Sequence, residues 1–424
     1  MIMNKKWSIV FWSIVIVSLL AGLIYWQTPI VLRLGVFIGG SWNVPSASTY
    51  ELIDGIIAQF EQDHPGVRVQ YDAGISLNDY SSWMSDKILE GSCPDVFLLI
   101  EGDLDLYKKL GVLKNLDPLI DSDLGFREIQ YYPNTLSLAS DRGHQIALPM
   151  ECNPDMMLVN TSLLRQEGIP IPDESWTIDD LYTICQKVSR DKDKNGVLDQ
   201  FGIYGYSWEH AFDAFNVEIL DSEGAFQLHQ DPFKQAITYL KELKDLHHGV
   251  EPTKEDLDSG KVAFAPMSYA EFVTYNPYPW RIKRYSNFDW QCLPMPANSS
   301  NSGFSGGSFL YMGISSRTFF SDLSWDLLKA FCCDTKNQKE IVFNGLGISP
   351  FVLDESNGDV SLYYEQIGIS SSLIDLIMRK KPRPNIEIDP PADLILDSKI
   401  KELIENEDDI DLSLIELEKE LNNE

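Results

Sequence analysis

Residues 191–199 carry the pattern of a hard-cation loop. Asp191, Asp193, Asn195 and Asp199 set oxygen-bearing side chains at alternate positions, Val197 offers its carbonyl between them, and Gly196 stands where such loops turn sharply. The twelfth position should be a bidentate glutamate, and here it is Gly202. The expectation is a structural calcium site that lacks one carboxylate. A second pattern, Gly303-Phe304-Ser305-Gly306-Gly307, fits the elbow that presents a nucleophilic serine. That chemistry needs a strand entering, a helix leaving, and an acid and a histidine later in the chain. Polar residues precede this segment, a strand-like FLYMGIS follows, and the last of the six histidines is His248. No triad can be assembled on Ser305. The 64 acidic residues do not single out a glycosidase pair, and no HExxH, phosphate loop or dinucleotide fingerprint occurs. Nothing in the pattern points to catalysis, and no cofactor is required.

Behind these segments lies an alternation of elements. RLGVFI (33–38), VRVQY (67–71) and PDVFLLI (94–100) read as strands, the last apolar throughout, as expected of a sheet covered on both faces. Between them, Ile53, Ile56, Ile57 and Phe60 recur at helical spacing, and a second helix is expected over 80–89. HQIALPM (144–150) and DMMLVN (155–160) are strand-like around a polar, proline-containing turn. Trp176 leads into a helix that Thr177 caps, with Asp180 three residues on. FGIYGYS, GKVAFAP and WQCLP are further short strands, and helices are expected over 235–246, 324–335 and 338–344. From Lys399 the pattern is an acidic helix with Ile400, Leu403 and Ile404 on one side, expected at the surface. The rhythm is that of a mainly parallel α/β sheet.

Trp7 to Trp26 is an apolar run preceded by Lys5 and Lys6. About twenty such residues span a bilayer, and the lysines favour a cytoplasmic N-terminus with the body outside. An uncleaved signal-anchor is the expectation, with a cleaved signal peptide as the alternative. The chain has 44% hydrophobic residues and enough length for two lobes. A formal net charge of −30 repels phosphate backbones and argues against nucleic acid. The six cysteines show neither zinc spacing nor a disulfide framework.

In order and spacing, FEQDHPGVRVQY, LEGSCPDVFLL, LYKKLGVLKNLDPLI, LPMECNPDMMLVN, SWTIDDLY, FGIYGYSW, SGKVAFAPMSYAEF, LPMPA and WDLLKAF resemble the extracellular solute-binding proteins of sugar-importing ABC transporters, from Arg33 to about Leu353. The resemblance implies an α/β, two-lobed periplasmic-binding-protein-like fold with hinge strands, here preceded by the N-terminal transmembrane helix. Residues 1–32 would be anchor and linker, 33–146 the first lobe, 147–291 the second, 292–335 the return to the first, and 336–424 the return to the second with the acidic helix. It also implies a carbohydrate ligand, permease subunits as partners, and attachment to the membrane. Members from Gram-positive organisms carry a lipidated cysteine near the start, which this chain lacks. An anchored sensor on the same fold is therefore the alternative, with an extracellular glycosidase behind it.

A sugar cleft needs aromatic faces for C–H surfaces and carboxylates or amides for hydroxyls. Trp42, Tyr80, Trp208, Tyr269 and Trp280 (with Tyr278 nearby) are the expected platforms. Glu101 ends the third strand, and Glu151 with Asn153 lies at the expected hinge. Gly306 and Gly307 would admit ligand close to the backbone.

Overall fold

The structure, a computed structural model, describes residues 29–38, 42, 49–133, 135–221, 224–275, 287–299, 303–304, 306–344, 347–353, 358–381, 390–406 and 409–423. Its strands are β1 (Ile30–Gly35), β2 (Val67–Tyr71), β3 (Val96–Ile100), β4 (Ser140–Asp141), β5 (His144–Gln145), β6 (Ala147–Asn160), β7 (Phe201–Ile203), β8 (Val262–Ser268), β9 (Trp290–Pro294) and β10 (Gly307–Ile314). β4 and β5 form a small hairpin, and the others join one sheet in the order β2-β1-β3-β10-β6-β8-β7, with β9 also paired to β6.

β6 is the organising element. Two strands around a turn were expected over 144–160, and one strand of 14 residues is found. Both prolines sit where a strand tolerates a missing N–H. Pro149 lies at an irregularity in the pairing with β10, and Pro154, opposite Gly307, is the last β6 residue paired with β10. From Asp155 onward β6 pairs with β8, and from Met156 with β9. One continuous strand thus runs from the first lobe's sheet into the second's. Trp290–Pro294, expected to lead back into the first lobe, pairs instead with Met156–Asn160, and the chain enters the first sheet only at Gly307.

Each lobe has its own core. In the first, the helices Thr49–Asp63 and Ser321–Cys332 supply Ile53, Ile56, Phe60, Leu327, Leu328 and Phe331 to a core that also takes in Leu32, Leu34, Leu99, Tyr311 and Met312. The second lobe has two cores beside β8: Met267 and Tyr269 pack with Val342, Phe351 and Ile374, while Ala263 and Phe264 pack with Trp176, Leu181 and Tyr239. The cap at Thr177 forms as expected, its side chain accepting from the Asp180 N–H while Asp180 accepts from the Thr177 N–H.

The C-terminal region departs from a solvated surface helix. It is a hairpin of helices, Pro390–Glu405 and Ile410–Asn423, that buries Leu396, Ile400, Leu403, Leu414, Leu417 and Leu421 against Phe212, Phe233, Ile237 and Leu240. Two of its acids turn inward as well, Asp397 accepting from the Trp208 indole and Glu418 from the Leu228 N–H. Among the described residues no helix is long and apolar enough to cross a membrane, and the run from Trp7 to Trp26 lies outside them.

Candidate functional site

The first wall of the site follows from strand direction. β1 and β3 are parallel, so the chain leaving their carboxyl ends emerges on one side of the sheet. In open α/β sheets that side receives ligands. Trp42 lies after β1, and Glu101 begins a short 3₁₀ turn directly after β3. β6, antiparallel to β10, brings Glu151 opposite Leu310, which itself pairs with Ile100.

Glu151 is 4% exposed, and the Trp42 indole Nε1 donates to its Oε2 at 3.2 Å. Burial pushes the carboxyl up to about 7, against the indole bond, which favours the charged form. Gly347 closes the other side: a methyl there would lie 2.9 Å from Glu151 Cβ and 2.9 Å from its Oε2. Two residues further along β6, buried Asn153 accepts from the Ala270 N–H at 2.9 Å. That amide ties the hinge strand to the start of the helix Tyr269–Tyr275 in the second lobe.

Other expected residues serve the protein's own packing. Tyr80 is fully buried, and its hydroxyl donates to the carbonyls of Gly35 and Leu98 at 3.1 and 2.9 Å. Tyr269 is buried in the second lobe. Neither presents a ring face to a cleft in this conformation. Trp208 is half-buried and donates from Nε1 to Asp397 Oδ1 at 3.0 Å, so it fastens the C-terminal hairpin. Trp280 and Tyr278 lie outside the described residues.

The glycines are used internally as well. A methyl on Gly306 would sit 2.5 Å from Asp155 Oδ2 and 2.7 Å from Asp213 Oδ2. Gly307, with φ +131°, would place one 2.6 Å from both the Asn153 carbonyl oxygen and Pro154 Cα. Their bareness lets β10 press against the hinge strand. The same contacts reveal residues not anticipated from sequence. Asp155 and buried Asp213 converge on Gly306, and Lys380, whose Nζ donates to the Met295 carbonyl at 3.0 Å, lies within the field of Asp213. Burial lowers the Lys380 pKa and Asp213 opposes that shift. Positions 155, 213 and 380 share no local motif, so only the assembled fold brings them together.

The segment around Ser305 leads into β10 rather than from a strand into a helix, with Gly303 bonded to Asn216 and Phe304 to the Asp213 carbonyl. That is not the architecture of a nucleophile elbow.

At the cation loop, carboxylate oxygens of Asp191, Asp193 and Asp199 lie within 4.8 Å of one another. The Gly196 N–H bonds Asp191 at 2.7 Å and holds its pKa below the usual range, and the Lys192 N–H bonds Asp199 at 2.8 Å. Asn195 Oδ1 accepts from the Val197 N–H, so the backbone folds as the spacing requires. Gly202, by contrast, packs directly on Cys185, and any side chain there would collide with it. No carboxylate can be placed at the twelfth position.

Residues 55–361 match the family of bacterial extracellular solute-binding proteins. The chain belongs to that family. Solved structures agree with the architecture of this solute-binding protein. The cyclic α-maltosyl-1,6-maltose binding protein of Arthrobacter globiformis is 14% identical with a TM-score of 0.73, over 93% of this chain and 98% of that one. The sugar-binding protein MalE of Xanthomonas citri is 16% identical with a TM-score of 0.72, over 93% and 96%. An ABC substrate-binding protein of Listeria monocytogenes, in complex with cycloalternan, is 15% identical with a TM-score of 0.66, over 93% and 98%. At such identities these likenesses establish the periplasmic-binding-protein-like fold.

Proposed function

We propose that this solute-binding protein captures a carbohydrate between its lobes and delivers it to an ABC transporter permease, without chemical conversion. The observation that carries the reading is the buried Glu151 carboxylate on the strand shared by both lobes, met by the Trp42 indole. A carboxylate accepts from sugar hydroxyls and an indole packs on C–H faces. Ligand contacts made by both lobes at once favour the closed arrangement over the open one. The similar structures named for maltosyl, cycloalternan and other sugar ligands support this class.

The reading places the body outside the cell, with Trp7–Trp26 as its membrane anchor, and assigns residues 191–199 a structural calcium. A second reading, an anchored sensor, is favoured by the short link between the apolar run, which ends at Trp26, and β1, which begins at Ile30. The test is a thermal-shift screen of the full chain against mono- and oligosaccharides. A ligand at a hundred times its dissociation constant adds about 2.7 kcal/mol. A selective rise with one glycan class is expected. Silence across neutral glycans, with a response to peptides, would overturn the carbohydrate assignment.

A further inference from the structure

The two lobes meet around β6, and at the meeting point their cores share members. Trp42, Ile129, Tyr131 and Phe309, all half-buried, pack against the first lobe's core and also against the second-lobe core that holds Met267 and Phe351. Tyr131 shows the arrangement most plainly. Its ring lies 5.9 Å from that of Phe126 in the first core and 5.6 Å, edge to face, from that of Phe351 in the second. Backbone crossings run beside this plug. Cys152 and Ile348 exchange N–H bonds at 2.9 and 2.8 Å, the Tyr132 N–H donates to the Pro350 carbonyl at 3.1 Å, and the Val352 N–H to that of Gln130 at 2.9 Å. A hinge can bend at such crossings, but the apolar plug must part when it does.

Glu151 is set into this joint. It directly precedes Cys152, lies against Gly347 on the crossing segment, and is met by Trp42, one of the four shared residues. An ionised carboxylate accepts at both oxygens, and a buried one needs donors in place of water. Among the described residues its one donor is the Trp42 indole, and no cation faces it. β10 sets Leu310 opposite, the crossing segment offers Gly347, and the loop after β1 offers the neutral indole. The neutral acid fits such a joint, and with the joint closed it is the form held up to about pH 7.

We propose that the Trp42–Glu151 joint is a proton-operated latch: protonated Glu151 keeps the lobes together, and its ionisation parts them so that water reaches the carboxylate. Parting draws the four shared residues off one of the two cores and opens the nook, which solvates the charge without unfolding either lobe. A ligand whose hydroxyls donate to Glu151 supplies the missing donors and favours the closed form again. The latch itself works without ligand, so it does not depend on the carbohydrate assignment.

The test measures lobe separation in the full chain with no ligand added. Spin labels are placed at exposed positions of both lobes, Leu110→Cys with Leu362→Cys and, in a second chain, Leu89→Cys with Leu376→Cys. The chain without these substitutions reports any labelling of Cys93 and Cys333, which are only partly buried. Distances are read by pulsed electron resonance across pH. A shift to longer separation in at least one pair is expected as pH rises from 4.5 to about 7, with no further change above. Glu151→Gln should hold the shorter separation throughout. Separations constant with pH in both pairs, or a shift that survives in Glu151→Gln, would overturn the latch. Trp42→Phe covers a glutamine variant that fails to fold: it removes the donor, so its shift should extend above pH 7, and an unmoved shift would equally overturn the proposal.

Discussion

The Trp42 indole donates to a Glu151 carboxylate that is 4% exposed, joining the loop after the first strand to the strand that both lobes share. Burial raises the proton affinity of this acid to about 7, from 4.5 for an ordinary glutamate. Between those values the folded protein holds a proton that the unfolded chain has released. Stability therefore falls as pH rises through that window and is level above it. The full effect is roughly 3 kcal/mol.

Glu151→Gln removes the titration and keeps an acceptor for the indole. Denaturant unfolding at several pH values should show the variant gaining on the parent between pH 4.5 and about 7, with no further gain above. A difference independent of pH would mean that the folded protein does not hold this acid protonated.

Trp42→Phe keeps a ring but loses the donor. The one interaction among the described residues that lowers the Glu151 pKa is then gone, so the same pH profile should extend above pH 7. Trp42→Ala removes the ring as well and should weaken sugar binding about 30-fold or more, as expected of a buried aromatic anchor. Denaturant unfolding across pH checks Trp42→Phe, and isothermal titration with the glycan found in the thermal screen checks Trp42→Ala. Unchanged affinity in Trp42→Ala would remove this residue from the ligand site.

Gly306→Ala sets a methyl against Asp155 and Asp213, and Gly307→Ala adds a left-handed φ to a backbone collision. Gly307→Ala should destabilise the protein by about 2 kcal/mol or more, because its obstacle is backbone, and Gly306→Ala by less, because two carboxylates must turn aside. A thermal midpoint within a degree or so of the parent, for either variant, would show that the strand junction is slack.

Calcium should raise the thermal midpoint of the parent and leave that of Asp191→Ala with Asp193→Ala unmoved. Gly202→Glu completes the loop pattern in sequence but meets Cys185. It should lower stability rather than tighten calcium binding. Tighter binding in a stable Gly202→Glu protein would contradict the packing described at this position.

Removing residues 390–424 strips six buried leucines and isoleucines from the helices Trp208–Phe215 and Asp231–Asp245. At about 1.5–3 kcal/mol each, the loss is on the order of 10 kcal/mol, comparable with the whole stability of a domain. The shortened chain should be recovered aggregated. A soluble, cooperatively folding product would show the hairpin to be dispensable.

Strands and helices were legible wherever period and caps agree: the apolar run at 96–100, the Ile53–Phe60 stripe and the Thr177–Asp180 cap all appear in place. β6 was misread because Pro149 and Pro154 look like a turn, and only the neighbouring strands reveal positions where a missing N–H is harmless. Tyr80 reads locally like a cleft aromatic because its partners, the carbonyls of Gly35 and Leu98, come from other strands. The Trp42–Glu151 contact spans 109 positions, and the convergence of Asp155, Asp213 and Lys380 spans more. Such sites are written in topology, and a linear reading supplies only their ingredients.

The shared sheet also sets a timetable for biosynthesis. The first lobe lacks an interior strand until residues 307–314 have been made, and the last core of the second waits for Leu421. The second lobe therefore cannot finish folding until the last helix has been made. Its final helix is the last part of that core to be made, so the helices Trp208–Phe215 and Asp231–Asp245 keep an uncovered apolar face until then.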